Sequence, residues 1–399
     1  MNISIFVQAH HENWSGGKSY CLSIIDGYPV IYHVLKKLRQ SYPALDIIVV
    51  APDDEKNRCF EPLAKAARAN VYYGAKFDIL ERFLGAAKMY PCDAIMRVIG
   101  EHYFINLEYI DHLKNIFQDG KYDIVIPPLD SDPKFSAEFV LVDALINAVQ
   151  IIHCLSEDER INARANPIPF IISQPHSFNS GIMKEVPIYS HREILQMRKV
   201  AKKIYLEAYE TKKNTAWREG DVLRMHYEFA KKYLRADDLV LDVACGKGFG
   251  SILLSSYAHQ VIGADLSAEF IFEAKKNIHI QNLSFEIQDA CKMNFKNESF
   301  DSVVSMETIE HINDKKFLSE VYRVLRSNGL FIVSTPQNGS GSAPLIPYHL
   351  REYSLYKFKK LLSRYFCIQD FYSFHSNYVM RGEHKGTGMM AICKKIVNI

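Results

Sequence analysis

The sequence predicts an α/β protein of two doubly wound domains, and three observations carry that reading. Short β-rich runs alternate with helical patterns in both halves of the chain. A strand runs straight into a glycine turn and a helix at residues 239–250, LVLDVACGKGFG. The length of 399 residues exceeds what one ordinary core holds. The expected division is a domain over residues 1–185, a helical linker over 186–220 and a second domain over 221–399.

In the first half, ISIFVQA (3–9), DIIVVAP (46–52), NVYYG (70–74), AIMRVIG (94–100) and DIVIPP (123–128) read as strands. VIYHVLKKLRQ (30–40) and ILERFLGAAKMY (79–90) read as the helices between them, and RINARANPIPFIISQPH (160–176) as a loop-rich tail. Residues 191–210 break the alternation. Ile194, Met197, Ala201, Ile204 and Ala208 recur at helical spacing with Lys and Arg between them. Docking against a domain and a homodimer contact are the two roles open to this amphipathic helix. A second helix, over 221–234, leads into the glycine turn.

Composition bounds the function. Hydrophobic residues make up 48% and charged residues 24%, the balance of a globular protein. A net charge of +2 gives no reason to expect nucleic acid or an anionic membrane as partner. The eight cysteines form no CxxC pair, which argues against a zinc or disulfide framework and for reduced thiols. The N-terminus lacks the pattern of a signal peptide, and no run of about 18 apolar residues reads as a membrane span. A cytoplasmic protein acting on small molecules is the expectation.

The glycine turn is the sharpest motif. Gly246, Gly248 and Gly250 follow the apolar strand, and a side chain there would block a ligand's approach to the backbone. The next strand, VIGAD (261–265), ends in Asp265, where an acid can accept ribose hydroxyls. FEIQDA (285–290), FDSVVSMETIEHI (300–312) and LFIVSTPQ (330–337) follow. This order resembles the class I S-adenosylmethionine (SAM) methyltransferases over about residues 222–399. The resemblance implies that Asp242, Ala244, Gly246 and Gly248 shape the site for the methionine part of SAM. Asp265 and Leu266 would meet the ribose and adenine, and Asp289 and Ala290 the adenine. The family often has glycine where this chain has Ala244, a substitution expected to be mild.

Glu307, Glu310 and His311 stand at i, i+3 and i+4, which places them on one face if the segment is a helical turn. Three readings stay open. Glu310 and His311 are structural, or His311 is a general base for an acceptor hydroxyl, or the group holds a divalent metal ion. The last follows from a resemblance to the Glu-x-x-Glu-His of metal-dependent methyltransferases of catechol-like rings and RNA 2′-hydroxyls. His349, in PYHLREYS (347–354), would be the fourth ligand. Sugar-type methyltransferases carry a similar segment, in which His349 would shape the acceptor pocket instead.

In the first half, the loop after the first strand ends in Gly16, Gly17 and Lys18, a sequence suited to triphosphate. With GAKFDILERF (74–83), RVIGEHYFIN (97–106), SAEFVLVDAL (136–145) and DERINARANPIPFI (158–171), residues 1–185 resemble the cytidylyltransferases of the spore-coat-polysaccharide and 3-deoxy-manno-octulosonate type. The resemblance implies that Gln8, Ala9, Gly16, Gly17, Lys18, Arg82 and Arg97 bind CTP, with Lys18 catalytic. Glu101 and Glu138 would hold Mg²⁺. The family's arginines in the first loop are replaced by the neighbourhood of His10, His11 and Ser15, and Glu101 stands where the family has aspartate. Both departures weaken charge neutralisation, so a domain that binds without catalysing stays open.

Both domains are thus expected to be Rossmann-like, the first of the nucleotide-diphospho-sugar transferase type and the second a class I methyltransferase. The combined expectation is CMP transfer to a sugar-like or acidic acceptor together with SAM-dependent methylation in surface glycan synthesis. The alternative is a methyltransferase whose first half only binds a nucleotide or nucleotide-sugar. An RNA 2′-O-methyltransferase fits poorly with the near-neutral charge.

Overall fold

The computed structural model describes the chain except residues 13–17, 130, 185–186, 188, 211–221, 340–348, 376–377 and 396–399. At residues 191, 205–210, 222, 375 and 378 only the backbone is described. The chain divides near residue 215 into two compact units.

The first unit is built on a seven-stranded sheet. Its strands are β1 (Ile3–Gln8), β2 (Ile47–Pro52), β3 (Asn70–Gly74), β4 (Ala94–Ile99), β5 (Ile124–Ile126), β6 (Glu138–Leu141) and β7 (Ser180–Ile182). The spatial order is β3-β2-β1-β4-β6-β5-β7. The strands β3, β2, β1 and β4 are parallel, and β6 is antiparallel to both its neighbours. β1 and β2 are buried along their whole length, which explains their largely apolar sequences. Helices α1 (Val30–Ser41), α2 (Phe60–Ala66), α3 (Ile79–Met89), α4 (Leu107–Gln118), α5 (Val142–Ile152), α6 (Glu157–Ala165) and α7 (Pro167–Ile172) connect them. Asp78 caps α3 by accepting from the Glu81 amide at 2.8 Å, and Asn106 caps α4 in the same way.

The amphipathic helix α8 (His191–Glu210) belongs to this unit. Ser190 and Glu193 form a reciprocal cap at its start. Its apolar stripe buries Ile194, Ala201 and Ile204, and Ser23 Oγ donates to the Ile204 carbonyl at 2.8 Å. Docking on the chain's own unit thus occupies these three residues of the stripe.

The second unit carries an eight-stranded sheet. Its strands are β8 (Leu239–Val243), β9 (Gln260–Asp265), β10 (Leu283–Ile287), β11 (Phe300–Ser305), β12 (Leu325–Pro336), β13 (Phe366–His375), β14 (Tyr378–Arg381) and β15 (Gly388–Lys395). The order is β10-β9-β8-β11-β12-β15-β13-β14. The first five of these are parallel and the last three add antiparallel pairs, which the sequence reading had not assigned. Helices α9 (Val222–Ala230), α10 (Phe249–Ser255), α11 (Ala268–Asn277), α12 (Asp314–Val324) and α13 (Leu355–Leu362) complete it.

Alternate side chains of each strand feed opposite faces. Leu241, Val243, Val303 and Phe331 pack with Phe317 of α12 and Phe358 of α13. Val240, Val304 and Ile332 pack with Tyr227 of α9 and Leu254 of α10. Helices on both faces make this sheet doubly wound. In each unit the strand order reverses beside the first strand, between β1 and β4 and between β8 and β11. Such switch points are where open α/β sheets leave a crevice at the carboxyl ends of the strands.

Candidate functional sites

The switch point of the second unit is framed by two turns. After β8, the backbone passes through Ala244 (φ 60°), Gly246 (φ 56°) and Gly248 (φ 85°) before α10 begins. A Cβ on Gly246 would meet nothing within 4 Å, so the space beside this amide is open. At Gly248 the reason for glycine is internal, because a Cβ would lie 2.5 Å from the Phe285 ring. Asp265, at the end of β9, accepts from the Gly246 amide at 2.9 Å and from the Ser267 amide at 2.8 Å. It fixes the glycine turn, and each oxygen retains a lone pair for a hydroxyl donor.

Asp242 lies fully buried beneath the turn. Its oxygens accept from Ser251 Oγ at 2.6 Å and Tyr227 Oη at 2.9 Å, and burial pushes its carboxyl up to about 6. Its hydrogen bonds hold α10 and α9 to the strand. Leu266 is 70% exposed, an apolar side chain displayed at the rim. Asp289 is exposed just past β10, with Cys291 N donating to it at 2.8 Å, and Ala290 is half-buried.

The second turn follows β11. The helical face expected for Glu307, Glu310 and His311 is not formed, because residues 306–313 run as turns and Glu307 takes a positive φ of 49°. That conformation separates the two glutamates. Glu307 accepts from Ser334 Oγ at 2.8 Å and lies 3.6 Å from Nδ1 of the buried His226. Glu310 turns inward, where its Oε2 accepts from Thr335 Oγ1 at 2.9 Å. Its Oε1 is buried without a hydrogen-bond partner. Burial raises both carboxyls above the usual range.

The segment after residue 348 closes over this turn. Leu350 N and Arg351 N donate to the Glu310 carbonyl at 2.8 and 3.3 Å. Arg351 pairs with Asp314 at 2.6 Å, and Tyr353 Oη donates to the same carboxylate at 3.0 Å. His349 is thereby held 4.7 Å from His311, ring centre to ring centre. One ligand atom each from Glu310, His311 and His349 lie within 4.8 Å of one another, and no other group of three such residues is gathered among the described residues. Glu307 is outside this set.

The switch point of the first unit is lined by charge. Arg97, on β4, donates to Gln8 Oε1 at 2.9 Å and pairs with Glu138 of β6 at 2.5 Å. Glu138 is thus engaged by an arginine rather than standing ready for a cation. Arg82, on α3, is completely buried. It donates from Nε to the Ala75 carbonyl and from Nη2 to the Lys76 carbonyl, while Nη1 has no partner. Burial lowers its guanidinium to about 10, still cationic near neutrality. Burial and then Arg82 hold His10 down to about 4, so it is a neutral imidazole and adds no charge for a phosphate. Ala9 is buried. The backbones of Lys18 and Glu12 pair in an isolated antiparallel bridge. Ser15, Gly16 and Gly17 lie outside the described residues. Burial raises Glu101, with Lys134 opposing, and His102 beside it is buried and held well below its usual range.

Sequence reasoning missed Tyr227, His226, Ser334, Thr335 and Glu352. Only Glu352, three residues after His349, left a local signal.

Comparison with known proteins finds two family matches along the chain. The chain belongs to the cytidylyltransferase family, by a match over residues 21–232. It also carries a methyltransferase domain, matched over residues 241–333. A probable S-adenosylmethionine-dependent methyltransferase of Mycolicibacterium smegmatis is 34% identical over 128 residues, 31% of this chain and 49% of that protein. Its counterpart in Mycobacterium tuberculosis is 33% identical over 130 residues, 31% of this chain and 46% of that one. The chain spans about half the length of the curated relatives it matches. A solved Haloferax volcanii complex of the Trm112 methyltransferase activator with a methyltransferase is 17% identical, with TM-score 0.40, covering 45% of this chain and 92% of that one.

Proposed function

We propose that the second unit methylates a small, sugar-like or nucleotide-linked acceptor, at oxygen, with SAM as donor. The observation that carries this reading is the open space beside Gly246, next to a carboxylate that already orders the turn. SAM supplies a sulfonium-activated methyl, so the protein's part is to bind, orient and exclude water. The Gly246 amide region would take the methionine part, Asp265 the ribose hydroxyls, and Leu266, Asp289 and Ala290 the adenine. Asp242 acts through the turn it supports. In this reading the acceptor lies against the turn at Glu307–His311.

The first unit, in the same proposal, binds CTP and passes CMP to a sugar-like or acidic acceptor. Support comes from the buried, cationic Arg82, from Arg97 at the switch point and from Lys18, whose backbone pairs with that of Glu12. Mg²⁺ would lean chiefly on the nucleotide phosphates, as that ion commonly does, because Glu138 is paired with Arg97 and only Glu101 remains. Surface glycan synthesis is the setting that accommodates both reactions. The eight free cysteines suit a cytoplasmic location, and no described helix is long and apolar enough to cross a membrane.

The test is calorimetric titration of the whole protein with SAM and, separately, with CTP. Gly246→Ala adds a methyl group that meets no protein atom within 4 Å but, at φ 56°, strains the backbone by about 1–2 kcal/mol. Circular dichroism is therefore read on the same sample to show that the fold is kept while the open space beside the amide is lost. SAM affinity should fall at least tenfold, about 1.4 kcal/mol. Unchanged affinity would remove the glycine turn from the site. Absence of cytidine nucleotide binding at millimolar concentration would sink the reading of the first unit.

A further inference from the structure

The turn after β11 holds a combination that the methyl-donor reading leaves unexplained. Glu310 is 1% exposed, yet one of its two carboxylate oxygens has no hydrogen-bond partner. A buried carboxylate oxygen without a partner costs several kcal/mol unless something compensates it. His311 Nε2 lies 3.8 Å from this oxygen, too far for a hydrogen bond and suited to two ligands of one ion.

His349 completes the set, and its orientation is fixed from behind. Its Nδ1 lies 2.6 Å from Glu352 Oε1. A carboxylate accepts only, so Nδ1 is the donor in this contact. Glu352 is itself held, because Asn338 Nδ2 donates to its other oxygen at 3.1 Å. A carboxylate that orients an imidazole through one ring nitrogen while the other serves the metal is the usual outer arrangement of a metal-binding histidine.

We propose that Glu310 Oε1, His311 Nε2 and His349 Nε2 bind one divalent first-row transition ion, with Glu352 as the residue that positions His349. Two imidazoles and one carboxylate favour such an ion over calcium or magnesium, which prefer all-oxygen sites. The side chain of His311, one-third exposed, forms the open side of the site. The remaining coordination positions are available to water or to an oxygen of the acceptor. Glu307 is not a ligand, since its carboxylate is turned to Ser334 and His226. The location of this site beside the acceptor rests on the methyltransferase reading, whereas its ligands do not.

The test uses the full chain, stripped with EDTA and titrated with Co²⁺, whose visible absorption reports imidazole and carboxylate ligation, and with Mn²⁺ by calorimetry. One ion per chain is expected. Glu310→Gln and His349→Ala should each weaken it at least tenfold, and Glu352→Gln by about 10–100-fold. Circular dichroism and SAM affinity are measured on the same samples, so that loss of the fold is told from loss of a ligand. His311→Ala, at the exposed edge, is the variant expected to fold normally and still lose the ion. No saturable binding below millimolar metal, or binding unaffected by His311→Ala and Glu310→Gln in folded protein, overturns the proposal. SAM binding without metal binding would overturn this site alone. Metal binding without SAM binding would leave the site standing and refute the methyltransferase reading.

Discussion

Ala244 sits at φ 60° in a turn where glycine would be at ease. The left-handed region costs an L-residue about 1–2 kcal/mol, partly offset by the greater freedom glycine has when unfolded. Ala244→Gly should therefore stabilise the second unit by about 0.5–1 kcal/mol, read as a higher urea midpoint at unchanged slope. An unchanged or lower midpoint would mean that the turn relaxes around alanine. Asp242 makes a pH prediction. Burial lifts its carboxyl from 3.8 to about 6, so the folded state holds the proton better than the unfolded chain. Its stabilising contribution is complete below about pH 4 and is lost as pH rises through 6, at most about 3 kcal/mol. Asp242→Asn should flatten the stability profile between pH 4 and 6; a profile as steep as the wild type's would place the titration elsewhere.

At the scale of elements, α9 meets the sheet through Tyr227, through His226 against Ser334 and Phe374, and through Phe229 against Tyr372. Tyr227 donates to Asp242 at 2.9 Å, and its ring lies 2.2 Å from where a Cβ on Gly250 would stand. The ring thus uses the space that glycine leaves on α10. Tyr227→Phe should cost about 1–2 kcal/mol, because one oxygen of a buried carboxylate loses its donor. Gly250→Ala should cost about 1–3 kcal/mol by pushing the ring outward. Thermal denaturation of the two single variants and the double variant tests the link. If the costs simply add, the two residues do not act as one fastening.

For the molecule as a whole, each unit has its own sheet and its own switch point, so each ligand should act on its own unit. SAM at 100 times its dissociation constant should raise the stability of the second unit by about 2.7 kcal/mol, and CTP should do the same for the first. Differential scanning calorimetry of the full chain should then show each ligand moving a different transition. A single transition moved equally by both would show that the units unfold together.

The sequence by itself determined the two α/β units, the strand-turn-helix at 239–250, the aspartate at the end of the next strand and the histidine-bearing segment at 347–354. These are local features: periodicity, glycine at a turn, and an acid at a strand end depend on neighbours in the chain. Only the tertiary structure decided the rest. It assigned the antiparallel strands β13 to β15, whose partners lie far away in the chain and whose pattern alone is ambiguous. It engaged Glu138 with Arg97 by cross-strand register. It placed Asp242 under the turn instead of in the open space. The positive φ at Glu307 had the largest effect, because it replaced an expected helical face by a turn that sends Glu307 and Glu310 to different neighbours. Glu310 then meets His349 only because the Leu350 amide reaches back to the Glu310 carbonyl, a contact across 40 residues that no local pattern encodes.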